Sequence, residues 1–332
     1  MIFKAVVGVV PTLLLLLLLF TPNLSFAAAP FFAYPDGTSP NAKRNVTQAF
    51  RDAITLARVV SLTATDCDPA FLRYFKPQDY TFVQRMFRTI ANIDPFVEIS
   101  PVDIMVMLSS SNSAATWNPD YVDLCIAYGD NPYNPPVDIS CGEDEGHTYG
   151  YTVYDTRPTA QFSGLISMCP DGEIFKYCLS LRQTENPPAW ARVGGQPDGA
   201  PLPGFGCDGL GDRDTTYMKV LGSSILHELF HWPWMFLSIP GYETNIPDHG
   251  HRIWDYDGPW VPSAYGPWNA MHINQLPADS RSGMSQSLQN ADNYVWYALS
   301  RYWSYKCDKT FGPPTSADDA TILGERQRGP GN

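Results

Sequence analysis

Asp214-Thr215-Thr216-Tyr217-Met218-Lys219-Val220-Leu221-Gly222-Ser223-Ser224-Ile225-Leu226-His227-Glu228-Leu229-Phe230-His231-Trp232-Pro233 is the stretch on which the fold reading turns. Val220, Leu221, Ser224, Ile225, Leu226 and Leu229 recur at helical spacing and give one apolar face. Asp214 with Thr215 and Thr216 reads as a helix start, and Pro233 marks its end. A helix within Tyr217–Phe236 is expected. On it, His227 and His231 stand one turn apart and project from the same side.

Two imidazoles so placed can bind one zinc ion from one side, and Glu228 can then lie beside a water on that ion and take its proton. The alternative is a buried helix with two structural histidines. A catalytic zinc takes three protein ligands and keeps a position open, so the third must come from later sequence. A histidine six residues beyond His231 is ruled out, because Leu237 stands there. Asp248, His249, His251, Asp255 and Asp257 are the candidates, all in one aromatic-rich loop.

Outward from this helix the chain divides by texture. Residues 1–27 read as a signal peptide: Lys4, an apolar run from Val6 to Phe20, then Ser25-Phe26-Ala27 as a cleavage site. The mature chain is expected to be secreted and extracellular, with no membrane association. Residues 28–45 are a candidate short propeptide or flexible lead; Lys43-Arg44 is either a processing site or a solvated pair at a helix start. Residues 46–310 are expected to form one domain, and 311–332 a disordered tail.

Val46–Ala64 and Gln78–Ile93 carry helical periods, as does Gln286–Lys306 near the end. Val102–Leu108, Tyr121–Ala127, Tyr149–Tyr154 and Gly164–Cys169 are short, rich in β-branched and aromatic residues, and read as strands. Glu143-Asp144-Glu145 reads as a solvated acidic turn, with calcium as the rival. The class expected from this texture is α+β.

A net charge of −12 argues against nucleic acid as a partner. Seven cysteines in an exported chain read as disulfides, with one left over. Cys169 and Cys178 flank Pro170-Asp171-Gly172 and are expected to pair locally; the other pairings stay open. Asn45-Val46-Thr47 is a glycosylation sequon.

Beyond the helix come Arg252-Ile253-Trp254-Asp255, then Ala264-Tyr265-Gly266-Pro267-Trp268, then Gln289-Asn290-Ala291-Asp292-Asn293-Tyr294. In that order they resemble the deuterolysin-type fungal metalloendopeptidases (aspzincins) and their relatives with lysine-specific metallo-endopeptidase domains. The resemblance covers roughly residues 210–306. It implies a zincin-like fold, a twisted sheet packed on the histidine helix with further helices below. It also implies Zn2+ held by His227, His231 and Asp255, Glu228 as general base, and Tyr265 on the developing oxyanion. Asn290-Ala291-Asp292 would pack beneath or beside the site. The usual family pattern is Gly-Thr-x-x-Asp-x-x-Tyr-Gly; aligned on Tyr265-Gly266, Pro262 stands at the aspartate and Pro259 at the threonine. Asp257, His249 and His251 therefore stay open beside Asp255, and a structural tyrosine beside the catalytic role of Tyr265.

The function implied is a secreted, monomeric zinc metalloendopeptidase acting on a protein or peptide substrate. Val102–Leu108 or Gly164–Cys169 would be the edge strand aligning that substrate. The alternative is a catalytically silent secreted binding protein on the same scaffold. Lysine preference does not follow from the residues.

Overall fold

Ser39 opens the longest early helix: its hydroxyl accepts from the Ala42 N–H, and Pro40 takes the first helical position. This helix, α1 (Pro40–Thr63), buries Val46, Phe50, Ile54, Ala57 and Val60 along one face. The computed structural model describes residues 29–109, 116–133, 140–141, 150–154, 161–170, 178–188, 191–192 and 204–315. The expected signal peptide and the acidic run at 143–145 lie outside them.

Four described strands form one sheet: β1 (Phe31–Ala33), β2 (Leu124–Tyr128), β3 (Gly150–Tyr154) and β4 (Gly164–Met168), in the order β1-β2-β4-β3. β1, β2 and β4 run parallel, and β3 closes one edge antiparallel to β4. β4 is buried throughout, as an inner strand should be. The other described helices are α2 (Pro69–Tyr74), α3 (Tyr80–Ile90), α4 (Pro101–Ser109), α5 (Leu181–Thr184), α6 (Leu221–Phe230), α7 (Tyr242–Asn245), α8 (Pro267–Gln275) and α9 (Ala291–Cys307). The chain is thus mixed α+β.

α6 lies between the sheet and the helices, touching β3 and β4 on one side and α1 and α9 on the other. It meets α1 at Gly222, where an added Cβ would stand 2.4 Å from Asp52 Cβ and 2.8 Å from the Ala53 nitrogen. Just beyond α6, Trp232 is buried against Gly164 of β4. One continuous core runs from α1 through α6 to Tyr294, Trp296 and Trp303 of α9.

Several expectations change. Val102–Leu108 is helical, not a strand. Ser100 Oγ bonds both the Asp103 N–H and its carboxylate, and Pro101 takes the first helical position, so the capping residues outweigh the β-branched composition. The strand read over Tyr121–Ala127 begins at Leu124, after a 3-10 turn capped by Asn118. The helix read over Gln286–Lys306 begins at Ala291, again after a 3-10 turn. Cys169 pairs with Cys141, not with Cys178: it ends β4 in a small buried cluster with Cys141 and Tyr151, and Asp130 binds the Cys141 N–H.

A second disulfide joins Cys207 to Cys307. The lead segment is built into the body, since Phe31–Ala33 is a strand and Lys43 and Arg44 lie in the first turns of α1. Order also persists past 310: Phe311 is buried and Gly312 bridges to Arg213. Among the described residues no helix is long and apolar enough to cross a membrane.

Candidate metal centre

The histidine helix is shorter than its period suggested. Residues Thr216–Met218 form a 3-10 turn capped by Thr215, and Val220 is extended. α6 spans Leu221–Phe230, and His231 is its C-cap with helical dihedrals, so the one-turn spacing of the histidines survives. Both rings are buried, or nearly so, beneath the ligand loop.

Their outer nitrogens are engaged. His227 Nδ1 lies 3.2 Å from Asp292 Oδ1, and His231 Nδ1 lies 2.8 Å from the Ile253 carbonyl. A carbonyl can only accept, and so can a carboxylate held ionised. Each Nδ1 therefore carries a hydrogen, so that each Nε2, when its ring is neutral, has a lone pair directed inward. The two Nε2 atoms stand 3.0 Å apart. Asp255 completes the cluster, with Oδ1 3.2 Å from His227 Nε2 and Oδ2 3.4 Å from His231 Nε2. The ligand atoms of these three residues lie within 4.8 Å of one another.

This arrangement could hold a metal ion at its centre. Two lone pairs and a carboxylate face one point, and Asp255 Oδ1 is buried without a hydrogen bond. Burial favours the neutral form of Asp255, but His227 and His231 beside it hold the carboxyl well below its usual range. Burial works against a charged His227, yet Asp255 and Asp292 pull its pKa well up. Two imidazoles and one carboxylate are a donor set that suits zinc and keeps a position open.

The aspartate reaches the helix through an irregular loop. His249, Gly250 and His251 have φ of 51°, 69° and 62°, three left-handed residues in a row. The Asp248 carbonyl accepts from the N–H of His251 at 2.9 Å and of Arg252 at 3.3 Å, closing the turn. Trp254 then pairs with the start of α9: its N–H donates to the Gln289 carbonyl and its carbonyl accepts from Ala291 N–H, both at 3.0 Å. That double tie presents Asp255.

Asp292 is held as firmly. Its Oδ2 accepts from Gly266 N–H at 2.6 Å and from Trp296 Nε1 at 2.9 Å. Burial, the largest single influence, raises its pKa, but the His227 bond, the Lys219 charge and the Gly266 N–H together bring it below the usual value. The expectation that Asn290-Ala291-Asp292 packs by the site thus takes a definite form: Asp292 orients His227, and Asn290 Oδ1 accepts from Tyr256 N–H at 3.0 Å.

Glu228 turns toward the sheet. Thr152 of β3 places its hydroxyl 2.7 Å from Glu228 Oε2 and 3.0 Å from the Glu228 carbonyl. Gly150, two residues earlier, lies so close that an added Cβ would be 3.4 Å from Glu228 Oε1. Tyr265 is half exposed, and its hydroxyl donates to Asp255 Oδ2 at 2.9 Å. Burial and the neighbouring Asp255 push that phenol above its ordinary pKa.

The other ligand candidates stand apart. Asp257 is exposed and outside the cluster. His251 spends Nδ1 on the Ile246 carbonyl at 2.8 Å, and His249 stacks on Trp254 at 5.1 Å.

Sequence reasoning missed Thr152 and Arg252. Arg252 Nη2 donates to the Thr152 carbonyl at 2.9 Å, and its guanidinium lies over Trp254 and Tyr154 at 4.5 and 5.3 Å. Thr152 fell in an expected strand, and the alternation of that strand with Gly150 is the signal that puts it on the face toward α6. Arg252 stood in the quoted loop, but no local pattern joins it to a strand a hundred residues earlier.

The chain matches no family model, no curated protein and no solved structure in the comparisons made.

Proposed function

We propose that the chain is a secreted zinc metalloendopeptidase of zincin-like architecture. The observation that carries the reading is the convergence of His227, His231 and Asp255 on one point, with Glu228 beside it. Zinc held there supplies Lewis acidity to a scissile carbonyl and to an attacking water.

Glu228 takes the proton of the water and returns it to the leaving amine. Thr152 fixes Oε2 of that carboxylate, which leaves Oε1 for the proton. Asp292 and the Ile253 carbonyl hold the two imidazoles in the tautomer that offers Nε2. Tyr265 is placed to donate to a developing oxyanion once its hydroxyl swings from Asp255; its exposure leaves room for that motion.

The strand that aligns an extended substrate is β3, the sheet edge next to Glu228. Val102–Leu108 is helical, and Gly164–Met168 is an inner strand paired on both sides. The disulfides support an oxidising destination. Zinc content and cleavage of an unfolded protein, with and without chelator, test the reading. One zinc per chain with chelator-sensitive cleavage is expected. Zinc without cleavage would favour the silent binding protein, and a chain that takes up no zinc would make His227 and His231 structural and leave the binding-protein reading in place of the peptidase.

A further inference from the structure

The edge strand β3 is not open along its whole length. Thr152 pairs with Ile166 of β4, and Gly150 with Met168. The Met168 carbonyl accepts from Gly129 N–H at 2.8 Å, on the β2 side, so by alternation Ile166 also turns its polar groups toward β2. The N–H and C=O of Gly150, Thr152 and Tyr154 therefore point away from the sheet, toward the free edge. A substrate strand would bond to these groups.

The ligand loop already occupies part of that edge. Arg252 Nη2 takes the Thr152 carbonyl, and the guanidinium sits between Tyr154 and Trp254. Gly250 lies beyond it, where an added Cβ would be 3.7 Å from the Tyr154 hydroxyl. Among the described residues the edge groups of Gly150, next to Glu228, meet no partner, whereas the Thr152 carbonyl is taken and the Tyr154 side chain is covered by the loop.

The covering group is a cation that feels the charges of Glu228 and Asp255 but makes no direct ion pair with either. Among the described residues Arg252 makes no ion pair, and its Nε is buried without a hydrogen bond. The nearby carboxylates are engaged elsewhere: Glu228 with Thr152, and Asp255 with the histidines and Tyr265. A half-buried guanidinium at the end of a peptide groove is a receptor for a carboxylate, since it offers paired donors in a partly desolvated place.

We propose that Arg252 closes one end of the substrate cleft and binds a carboxylate of the peptide there. This rests on the peptidase reading and gives it a substrate class. An Asp or Glu side chain at that position leaves the enzyme an endopeptidase. A chain-terminal carboxylate makes it trim chain ends. In either case a lysine in this subsite is disfavoured by like charge.

The test is binding, measured on the Glu228→Gln chain so that turnover does not intervene. Three dye-labelled peptides of one sequence are compared by anisotropy: a free C-terminal acid, its amide, and an amide with a glutamate placed internally. At least one carboxylate peptide should bind about tenfold tighter than the plain amide, as a charge-assisted pair would give. Preference for the first identifies the terminal carboxylate, and preference for the third the side chain. Arg252→Gln should erase the difference between the carboxylate peptides and the amide, while Arg252→Lys should keep part of it.

Equal binding of all three peptides overturns the proposal, as does an Arg252→Gln variant that weakens all three alike. If Arg252→Gln does not fold, loss of the carboxylate preference at high salt in the parent chain replaces it as the required result, and a salt-independent preference overturns the proposal. Zinc content of the same samples separates the two readings. A zinc-free chain sinks the peptidase, whereas the carboxylate preference is scored with and without chelator.

Discussion

The candidate metal site draws on two regions of opposite character. His227 and His231 come from α6, a regular helix locked into the core against α1 and β4. Asp255 comes from a loop with three successive left-handed residues, tied down by backbone bonds to α9, by the bonds of His231 and Tyr242 to its carbonyls, and by the grip of Arg252 on β3. The helix supplies geometry by periodicity, and any sequence that keeps the helix keeps the spacing. The loop supplies geometry by strain and long-range bonds, so its position depends on partners far away in the chain. The contrast teaches that a ligand set can be half local and half tertiary, and the two halves should fail differently.

The largest effect expected falls on the helix side but leaves its geometry intact. Glu228→Gln should lower cleavage by about 10³-fold while zinc stays bound, the usual scale for losing a general base. Retained turnover in that variant would take the base away from Glu228. Next comes the loop. Asp255→Ala removes a ligand and should cost more zinc affinity than Asp292→Asn, for which a loss of about 10–100-fold is expected. Competition with a chelator gives both values; if Asp255→Ala binds zinc as well as the parent does, Asp257 or a loop histidine is the ligand.

The helix side should then break through packing rather than chemistry. Gly222→Ala places a methyl group against Asp52 and the α1 backbone, and should destabilise the fold by about 1–3 kcal/mol. Thermal unfolding reads this, and an unchanged midpoint would show that α1 and α6 can separate freely. The same contact carries a further effect, a dependence on pH spread over about two units. Burial pushes Asp52 up from 3.8 to about 6, against the bonds from Leu181 N–H and Gln48. The folded state thus holds this proton more tightly than the unfolded chain does. Stability should be greatest below pH 3.8 and fall as pH rises to about 6, by no more than ~1.4 kcal/mol per pH unit for one proton. Asp52→Asn should remove that slope, and a slope that persists assigns it to another group.

The same division sets what could be read beforehand. The histidine pair, the early helices and the strands at 150–154 and 164–168 follow from local periods. Residues Pro101–Ser109 were misread because Val102, Ile104 and Val106 favour strands, while Ser100 and Asp103 were there to signal a cap. Asp255 was reached through a resemblance and not through a period, since nothing in Ile253-Trp254-Asp255 shows that its backbone pairs with Gln289 and Ala291. Thr152 and Arg252 were invisible for the same reason: each acts on a residue 76 to 100 positions away. The partner of Cys169 was misjudged because proximity in sequence was weighed above the route of β4 to Cys141.

The bond from His227 to Asp292 spans 65 residues, and it sets an order of events during synthesis. When α6 leaves the ribosome, its histidines have neither Asp292 nor the α9 backbone that presents Asp255. A nascent chain that has made only α6 offers a loose pair of imidazoles to any passing metal ion. The tight site exists only after α9 has been made and docked. On the metal reading, selection of the ion would therefore be a late act of folding, performed in whatever compartment the chain has reached by then.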